Sequence, residues 1–240
     1  MSVRKWLLRV VPSLAALAGV IIFMRLGFWQ LARGHEAAAR KQAFERRVAQ
    51  PPLQAQPGRW AVDAVLYRQV MVKGRYDARY QILLDNQFNH GAVGYDVLTP
   101  LHIAGSPERV LVDRGWVPFT GNHRQVPQVP VPEGEQQVLG LAVQPGIYFR
   151  LGKPQALHPW HVLWEYLDLK RYAEAVPFPV EPVELLLAPG GGSMLVRAWP
   201  NPGTGVRMHR GYALQWFLFA FTVVVVFVAL NGPWRRRHER

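Results

Sequence analysis

The sequence predicts a membrane protein in which two transmembrane α-helices flank a mainly antiparallel, barrel- or sandwich-like β-domain with one or two short helices. Three observations predict this fold class. One apolar run covers residues 7–24, an uncharged run covers residues 213–230, and short β-type runs recur between turn residues in the middle of the chain. The predicted boundaries are 7–27 for the first transmembrane helix, 28–208 for an extracytoplasmic domain, 209–231 for the second helix and 232–240 for a basic cytoplasmic tail.

The first apolar run reads as a signal peptide or as an anchor that stays in place. It has a basic start, and Ala-Leu-Ala at 16–18 imitates a small-residue cleavage site. Apolar residues continue to Met24, past the point where cleavage would fall, which favours the anchor. Trp29 then falls at the height of the interfacial aromatic belt. Residues 36–48 predict a water-exposed amphipathic continuation of the helix, which Pro51 and Pro52 end.

The second apolar run has the length of a bilayer. Its residues 213–230 are uncharged, and only Gln215 and Thr222 are polar. At about 1.5 Å of rise per residue the run is roughly 27 Å long, close to the ~30 Å hydrocarbon core of a membrane. A soluble helix of this length would need a polar face, and this one has none.

Charge placement predicts the topology. The net charge is +12, and much of the excess lies near the two chain ends. Basic residues flank the predicted spans in equal number on the two sides. The positive-inside rule applies to short segments, whereas a long central segment can cross regardless of its charge. The arginines at 235–237 in the short tail therefore decide the orientation. Both termini are therefore expected in the cytoplasm. This placement also argues against nucleic acid as the partner of the basic charge.

The central region predicts strands at residues 67–76, 80–86, 95–101, 110–113, 137–143, 183–187 and 193–199. Their short, regular spacing favours an antiparallel barrel or sandwich over a parallel α/β sheet. Residues 160–176 show helical periodicity, and a Pro-rich stretch follows them.

The usual enzyme signatures are absent from the sequence, and we expect no catalytic activity. There is no phosphate-binding loop, dinucleotide fingerprint or nucleophile elbow. The absence of cysteine excludes disulfides, thiol catalysis and thiolate metal sites. Three carboxylates fall at predicted strand ends: Asp85, Asp96 and Asp113. A membrane-bound hydrolase would need a nucleophile beside such a group, and the sequence shows none. His158 and His161 are interpreted as packing at a helix entry, with a metal site as the alternative.

Two further residues leave alternatives open. Trp116 directly follows a strand, and both a structural turn and a surface docking role fit it. His209 falls on one helical face with Tyr212 and Trp216, at the water-side end of the second run. The helix N-terminus favours a neutral imidazole there, which is a good axial ligand for haem iron. Spacing alone favours the other interpretation, in which these residues line the membrane interface.

Four segments together resemble the Surfeit locus protein 1 family, the two-span assembly factors of cytochrome c oxidase. They are Leu-Gly-Phe-Trp-Gln at 26–30 with Arg33, Gly-Tyr-Asp-Val-Leu-Thr-Pro-Leu at 94–101, Val-Leu-Val-Asp-Arg-Gly-Trp-Val-Pro at 110–118, and His209 with Tyr212, Gln215 and Trp216. One departure is that the aromatic residue expected a few positions after Arg33 is absent before Lys41.

The resemblance implies a non-enzymatic helper, or chaperone, that takes haem a from its synthase and assists its insertion into the catalytic subunit of the oxidase. It implies His209 as the haem-iron ligand, with Tyr212, Gln215 and Trp216 as further haem-binding candidates. The family-motif docking candidates are Gly27, Trp29, Gln30, Arg33, Gly94, Tyr95, Pro100, Arg114, Gly115 and Trp116. The alternative is a scaffold that holds the oxidase subunit or the haem a synthase without touching haem. The short segment before the first run leaves no room for an organelle presequence, so a bacterial inner membrane is the expected location.

Overall fold

Two long helices carry the apolar runs. In the computed structural model α1 spans Val3–Val48 and α4 spans Val206–Asn231. Both are long and apolar enough to cross a membrane, so the two predicted apolar helices are confirmed. The structure describes residues 3–122, 126–145, 160–190, 194–199 and 205–231, of which residues 3–9 are described by their backbone alone. The chain divides into two units, Met1–Phe44 with Asn201–Arg240 and Glu45–Pro200.

The second unit is a mainly antiparallel β-barrel, as predicted. Its strands are β1 (Leu53–Gln54), β2 (Gln69–Tyr76), β3 (Ile82–Asn89), β4 (Ala92–Ile103), β5 (Arg109–Pro118), β6 (Gln136–Val143), β7 (Leu163–Trp164) and β8 (Val180–Leu187). The sheet order is β1-β2-β6-β8-β5-β4-β3-β7. A further pairing of β2 with β4 closes the ring β2-β6-β8-β5-β4. Within that ring the pairing of β5 with β8 is parallel. Two short helices, α2 (Val62–Val65) and α3 (Leu169–Ala175), accompany the strands.

Alternation along β5 builds two cores on opposite sides of the barrel wall. Val110 and Val112 belong to a cluster with Val72 of β2 and Leu185 of β8. Leu111 lies between them in sequence and belongs to a second cluster, which includes Tyr172 of α3. Successive side chains of a strand point to opposite faces, so a strand buried on both sides reads as a continuous apolar run.

The predicted helix at 160–176 was wrong in extent. Residues Leu163–Trp164 form β7, which pairs in parallel with β3. The helix α3 begins only after Asp168, whose carboxylate accepts a hydrogen bond from the backbone N–H of Arg171 at 3.2 Å. A side-chain cap of this kind fixes the start of a helix, and helical periodicity alone does not reveal it.

The predicted strand at 193–199 was also wrong over its described residues. There Val196 forms a single isolated bridge with Trp116, and Ser193 lies outside the described residues. Two other strands start later than predicted. Tyr67 has a positive φ of 59° before β2, and a 3-10 turn at Ala78–Tyr80 precedes β3.

Strand β5 is longer than predicted and continues to Pro118. The sequence suggested an end at Asp113, before Arg114 and Gly115. Gly115 adopts a φ of +126°, a conformation that other residues rarely take. The register shifts there, and Trp116 and Val117 pair with Asp96 and Tyr95 of β4. The glycine therefore acts as a bulge inside the strand.

Candidate functional site on the helix pair

Helices α1 and α4 approach closely at small residues spaced by seven. Gly27 and Gly34 are buried on α1, and Ala213 and Ala220 are buried on α4. A Cβ atom at Gly27 would lie 2.7 Å from Cζ of Phe217, closer than real Cβ atoms approach. Small residues at helix interfaces in membranes allow the backbones to come together.

Aromatic contacts fix the direction of the pair. Phe23 stacks on Trp216 with ring centroids 5.8 Å apart, whereas Gln30, seven residues further along α1, contacts His209, seven residues earlier on α4. The two helices therefore run antiparallel. This arrangement aligns one face of α1 with one face of α4 over two turns.

His209 and Gln30 form a polar pair on this face. Nδ1 of His209 lies 2.8 Å from Oε1 of Gln30. With the amide oxygen as acceptor, Nδ1 is the donor, so the lone pair of the neutral ring is on Nε2. Among the described residues no hydrogen bond reaches Nε2. Gly205 lies beside this nitrogen, because a Cβ atom at Gly205 would be 3.6 Å from it.

The predicted haem residues divide between two environments. His209 and Trp216 share the face that contacts α1. Tyr212 was expected on the same face, but it is 47% exposed, and Gln215 is also exposed. The structure thus places His209 and Trp216 against α1, whereas Tyr212, one turn from each of them along α4, and Gln215 have exposed side chains. Haem contact by these four residues stays a prediction.

The chemistry of His209 fits a haem ligand. A histidine that ligates a metal through one ring nitrogen usually donates its other N–H to an oxygen acceptor, which fixes the tautomer. Gln30 supplies that acceptor. Sequence reasoning selected both residues but missed their pairing, because 179 positions separate them. The sequence did contain one signal for this pairing, the seven-residue spacing of small residues on both helices. Gln30 lies three residues after Gly27, and His209 lies four residues before Ala213.

Trp29 and Arg33 lie on the exposed part of α1. The Arg33 guanidinium is 5.8 Å from the centroid of the Trp29 ring, and its Nη1 donates to Glu36 at 2.8 Å. Trp29 is 51% exposed. An exposed indole with a neighbouring arginine suits a membrane interface or a partner surface.

The barrel motifs are largely buried. Gly94 lies under the ring of Trp116, where a Cβ atom would collide with the ring and with the carbonyl oxygen of Val117. Trp116 itself donates from Nε1 to the carbonyl of Gln87 at 3.0 Å. Tyr95 is fully buried, and Pro100 is buried in β4 opposite Leu111. These contacts support the structural interpretation of Trp116, and docking by these residues stays a prediction.

Arg114 is buried and bonds to neutral oxygens. Its guanidinium donates to Oε1 of Gln81 at 3.1 Å and to the carbonyl of Pro130 at 2.7 Å. Burial lowers the pKa of this guanidinium below its usual value. Gly115 beside it cannot carry a side chain, since a Cβ atom would lie 2.8 Å from the carbonyl oxygen of Val196. Arg114 therefore ties three segments of the barrel together.

Two buried carboxyl groups, Asp113 and Glu184, and the half-buried Asp96 lie on neighbouring strands, and sequence reasoning missed Glu184 among them. Burial raises the pKa of Glu184 to about 8, with a contribution from the charge of Asp96. Burial also raises the pKa of Asp96 to about 6 and that of Asp113 well above its usual range. In the described part of the chain no group of three His, Cys, Asp or Glu side chains is placed to hold a metal ion. His158, predicted as a helix-entry residue, lies outside the described residues.

Comparison with known proteins decides the family. The SURF1 family model matches residues 17–221. The chain belongs to the SURF1 family. Its relatives include a SURF1-like protein of Rickettsia felis, 24% identical over 222 residues, which are 90% of this chain and 95% of the relative. Surfeit locus protein 1 of Xenopus tropicalis is 28% identical over 239 residues, 90% of this chain and 72% of the relative. An uncharacterized SURF1-like protein of Mycobacterium tuberculosis is 33% identical over 133 residues, about half of each chain.

Members of the SURF1 family are known generally as cytochrome oxidase assembly factors. The matched region contains Gln30, the barrel motifs and His209. Family membership and the two apolar helices together support a membrane protein that takes part in oxidase assembly.

Proposed function

We propose that this SURF1-family protein binds haem a through His209 and assists its insertion into the catalytic subunit of a haem–copper terminal oxidase. The observation that carries the proposal is the contact between Nδ1 of His209 and Oε1 of Gln30 at 2.8 Å. This contact leaves Nε2 as the ligating nitrogen, at the start of an apolar helix. His209 would hold the haem through Nε2, and the haem would supply an iron centre for that nitrogen.

The helix pair suits a porphyrin cargo. Large apolar side chains of α4, such as Leu214 and Phe221, are more than half exposed, and in a bilayer they provide a hydrocarbon environment. An apolar porphyrin held beside these side chains is shielded from water until it is transferred. The partners in this account are the haem a synthase, which delivers haem, and the oxidase catalytic subunit, which receives it.

The topology is part of the proposal. The arginines at 235–237 favour cytoplasmic termini, so the barrel lies on the outer side of a bacterial inner membrane. His209 then lies at the outer mouth of α4. No catalytic turnover is assigned to the protein, since its chemistry is binding and release.

The direct test is a haem spectrum of purified protein. The full chain is co-expressed with haem a synthase, and we expect an absorbance spectrum that the variant His209→Ala alters or loses. His35→Ala is the matched control, because His35 is an exposed histidine on α1, and we expect its spectrum to be unchanged. An identical spectrum and haem occupancy in His209→Ala would remove His209 as the ligand.

A second candidate function has support from the same contacts. Trp216 stacks on Phe23 at 5.8 Å and His209 bonds to Gln30, so both side chains already hold α1 and α4 together. A scaffold that holds the oxidase subunit or the haem a synthase would need only this packing. The scaffold function predicts colourless protein and normal recovery of partners with His209→Ala, whereas the haem-binding function predicts coloured wild-type protein whose spectrum changes in His209→Ala.

A further inference from the structure

The environment of His209 differs at its two ring nitrogens. On the Nδ1 side, α1 supplies the Gln30 amide at 2.8 Å. The α1 backbone is also close there, because a Cβ atom at Gly34 would lie 3.5 Å from Cβ of His209. On the Nε2 side the near neighbour is Gly205, which carries no side chain. One nitrogen is therefore held by the partner helix, and among the described residues the neighbour of the other is the backbone of Gly205.

A neutral imidazole carries one N–H, and its position decides which nitrogen can act as a ligand. An acceptor at Nδ1 keeps the proton on Nδ1 and the lone pair on Nε2. In metal-ligating histidines generally, an acceptor for the other ring N–H fixes both the tautomer and the orientation of the ring. In an apolar surrounding such a bond is stronger than it is in water.

We propose that Gln30 is a positioning residue for His209. Gln30 holds the ring proton on Nδ1 and so leaves the lone pair on Nε2, where it is directed to the incoming haem iron. This inference rests on the proposed function for the identity of the ligand, haem iron. It goes beyond that function in assigning the tautomer and its cause. A glutamine that only held the helices together would require the hydrogen bond but not this direction of donation.

The first test needs neither haem nor a variant. The full chain is labelled with ¹⁵N-histidine, and its ring nitrogens are observed by NMR in detergent above neutral pH. We expect His209 to show the Nδ1–H tautomer in the wild type. In Gln30→Leu we expect a mixture of the two tautomers. The control is Gln42→Leu, the same change at an exposed position on α1, and we expect it to keep the wild-type tautomer. An Nε2–H tautomer in the wild type would overturn the inference.

The second test measures haem. Loss of an oriented partner of a metal-ligating histidine typically costs about 10–100-fold in affinity, so Gln30→Leu should bind haem that much more weakly. Gln30→Glu retains an acceptor for the Nδ1 proton and adds charge, so it should keep haem and lower its midpoint potential. A Gln30→Glu potential equal to that of the wild type would contradict the positioning role. If wild-type protein takes up no haem at all, the proposed function fails, and the tautomer measurement alone decides the role of Gln30.

Discussion

Replacing Glu184 by glutamine should make the barrel more stable, and by an amount that depends on pH. The Glu184 side chain is buried in β8, near Asp96 and Asp113, and its pKa is raised from 4.5 to about 8. A carboxyl whose pKa is raised in the folded state contributes its full stability below the unfolded pKa, and this contribution is lost as pH rises through the folded pKa. Between those values the unfolded chain releases the proton and the folded chain retains it.

The size of the effect follows from the shift. One unit of pKa corresponds to 1.36 kcal/mol, so a rise from 4.5 to about 8 lowers the free energy of unfolding by roughly 3–5 kcal/mol at high pH. Most of that loss, roughly 3 kcal/mol, falls between pH 5 and pH 8. Glutamine has nearly the same shape as a protonated glutamate and does not ionise, so Glu184→Gln removes this loss.

The assay is thermal unfolding of the full chain in detergent at pH 5, 6, 7 and 8, followed by near-UV circular dichroism. Wild type and Glu184→Gln should have similar melting temperatures at pH 5 and diverge as the pH rises, with the variant higher. The matched control is Glu135→Gln, which removes the same charge at an exposed position and should follow the wild type. Parallel curves for wild type and Glu184→Gln would refute the reasoning.

Three further substitutions test the packing. Gly27→Val places a branched side chain against the ring of Phe217 and should separate α1 from α4, seen as loss of a crosslink between cysteines introduced on the two helices; an intact crosslink would contradict the packing. Gly94→Ala should destabilise the barrel by about 1–3 kcal/mol in chemical unfolding, because the added methyl collides with backbone and with a tryptophan ring; wild-type stability would show that the site has room. Arg114→Met leaves the carbonyl oxygen of Pro130 without its guanidinium donor and leaves Oε1 of Gln81 with the Thr99 hydroxyl as its remaining donor; we expect a cost of about 1–3 kcal/mol, and an unchanged unfolding midpoint would contradict the bridging role of Arg114.

The parts of the fold that the sequence predicted are those with local signals. The apolar runs define α1 and α4 because their lengths match a membrane, and alternation with turn residues defines most strands of the barrel. The errors occur where a single residue overrides the pattern. Asp168 caps α3 and so shortens the predicted helix, and Gly115 carries β5 through a bulge at which the sequence suggested an end.

The candidate site was predictable in its residues but not in its geometry. The position of His209 at the start of an apolar helix is visible in the sequence. Its hydrogen bond to Gln30 is not visible in the sequence, because the two residues are 179 positions apart and the bond depends on how their helices align. The buried carboxyl of Glu184 was missed for a similar reason, since strand order sets its neighbours and local sequence does not.

The central claim is that His209 serves haem delivery to the oxidase. The most direct measurement is the optical haem a signal of membranes from cells that lack this protein, complemented with wild type, His209→Ala or His35→Ala, with oxidase subunits quantified in parallel. We predict that wild type and His35→Ala restore the haem a absorbance and that His209→Ala does not, although the subunits are still made. Full restoration by His209→Ala would contradict the account.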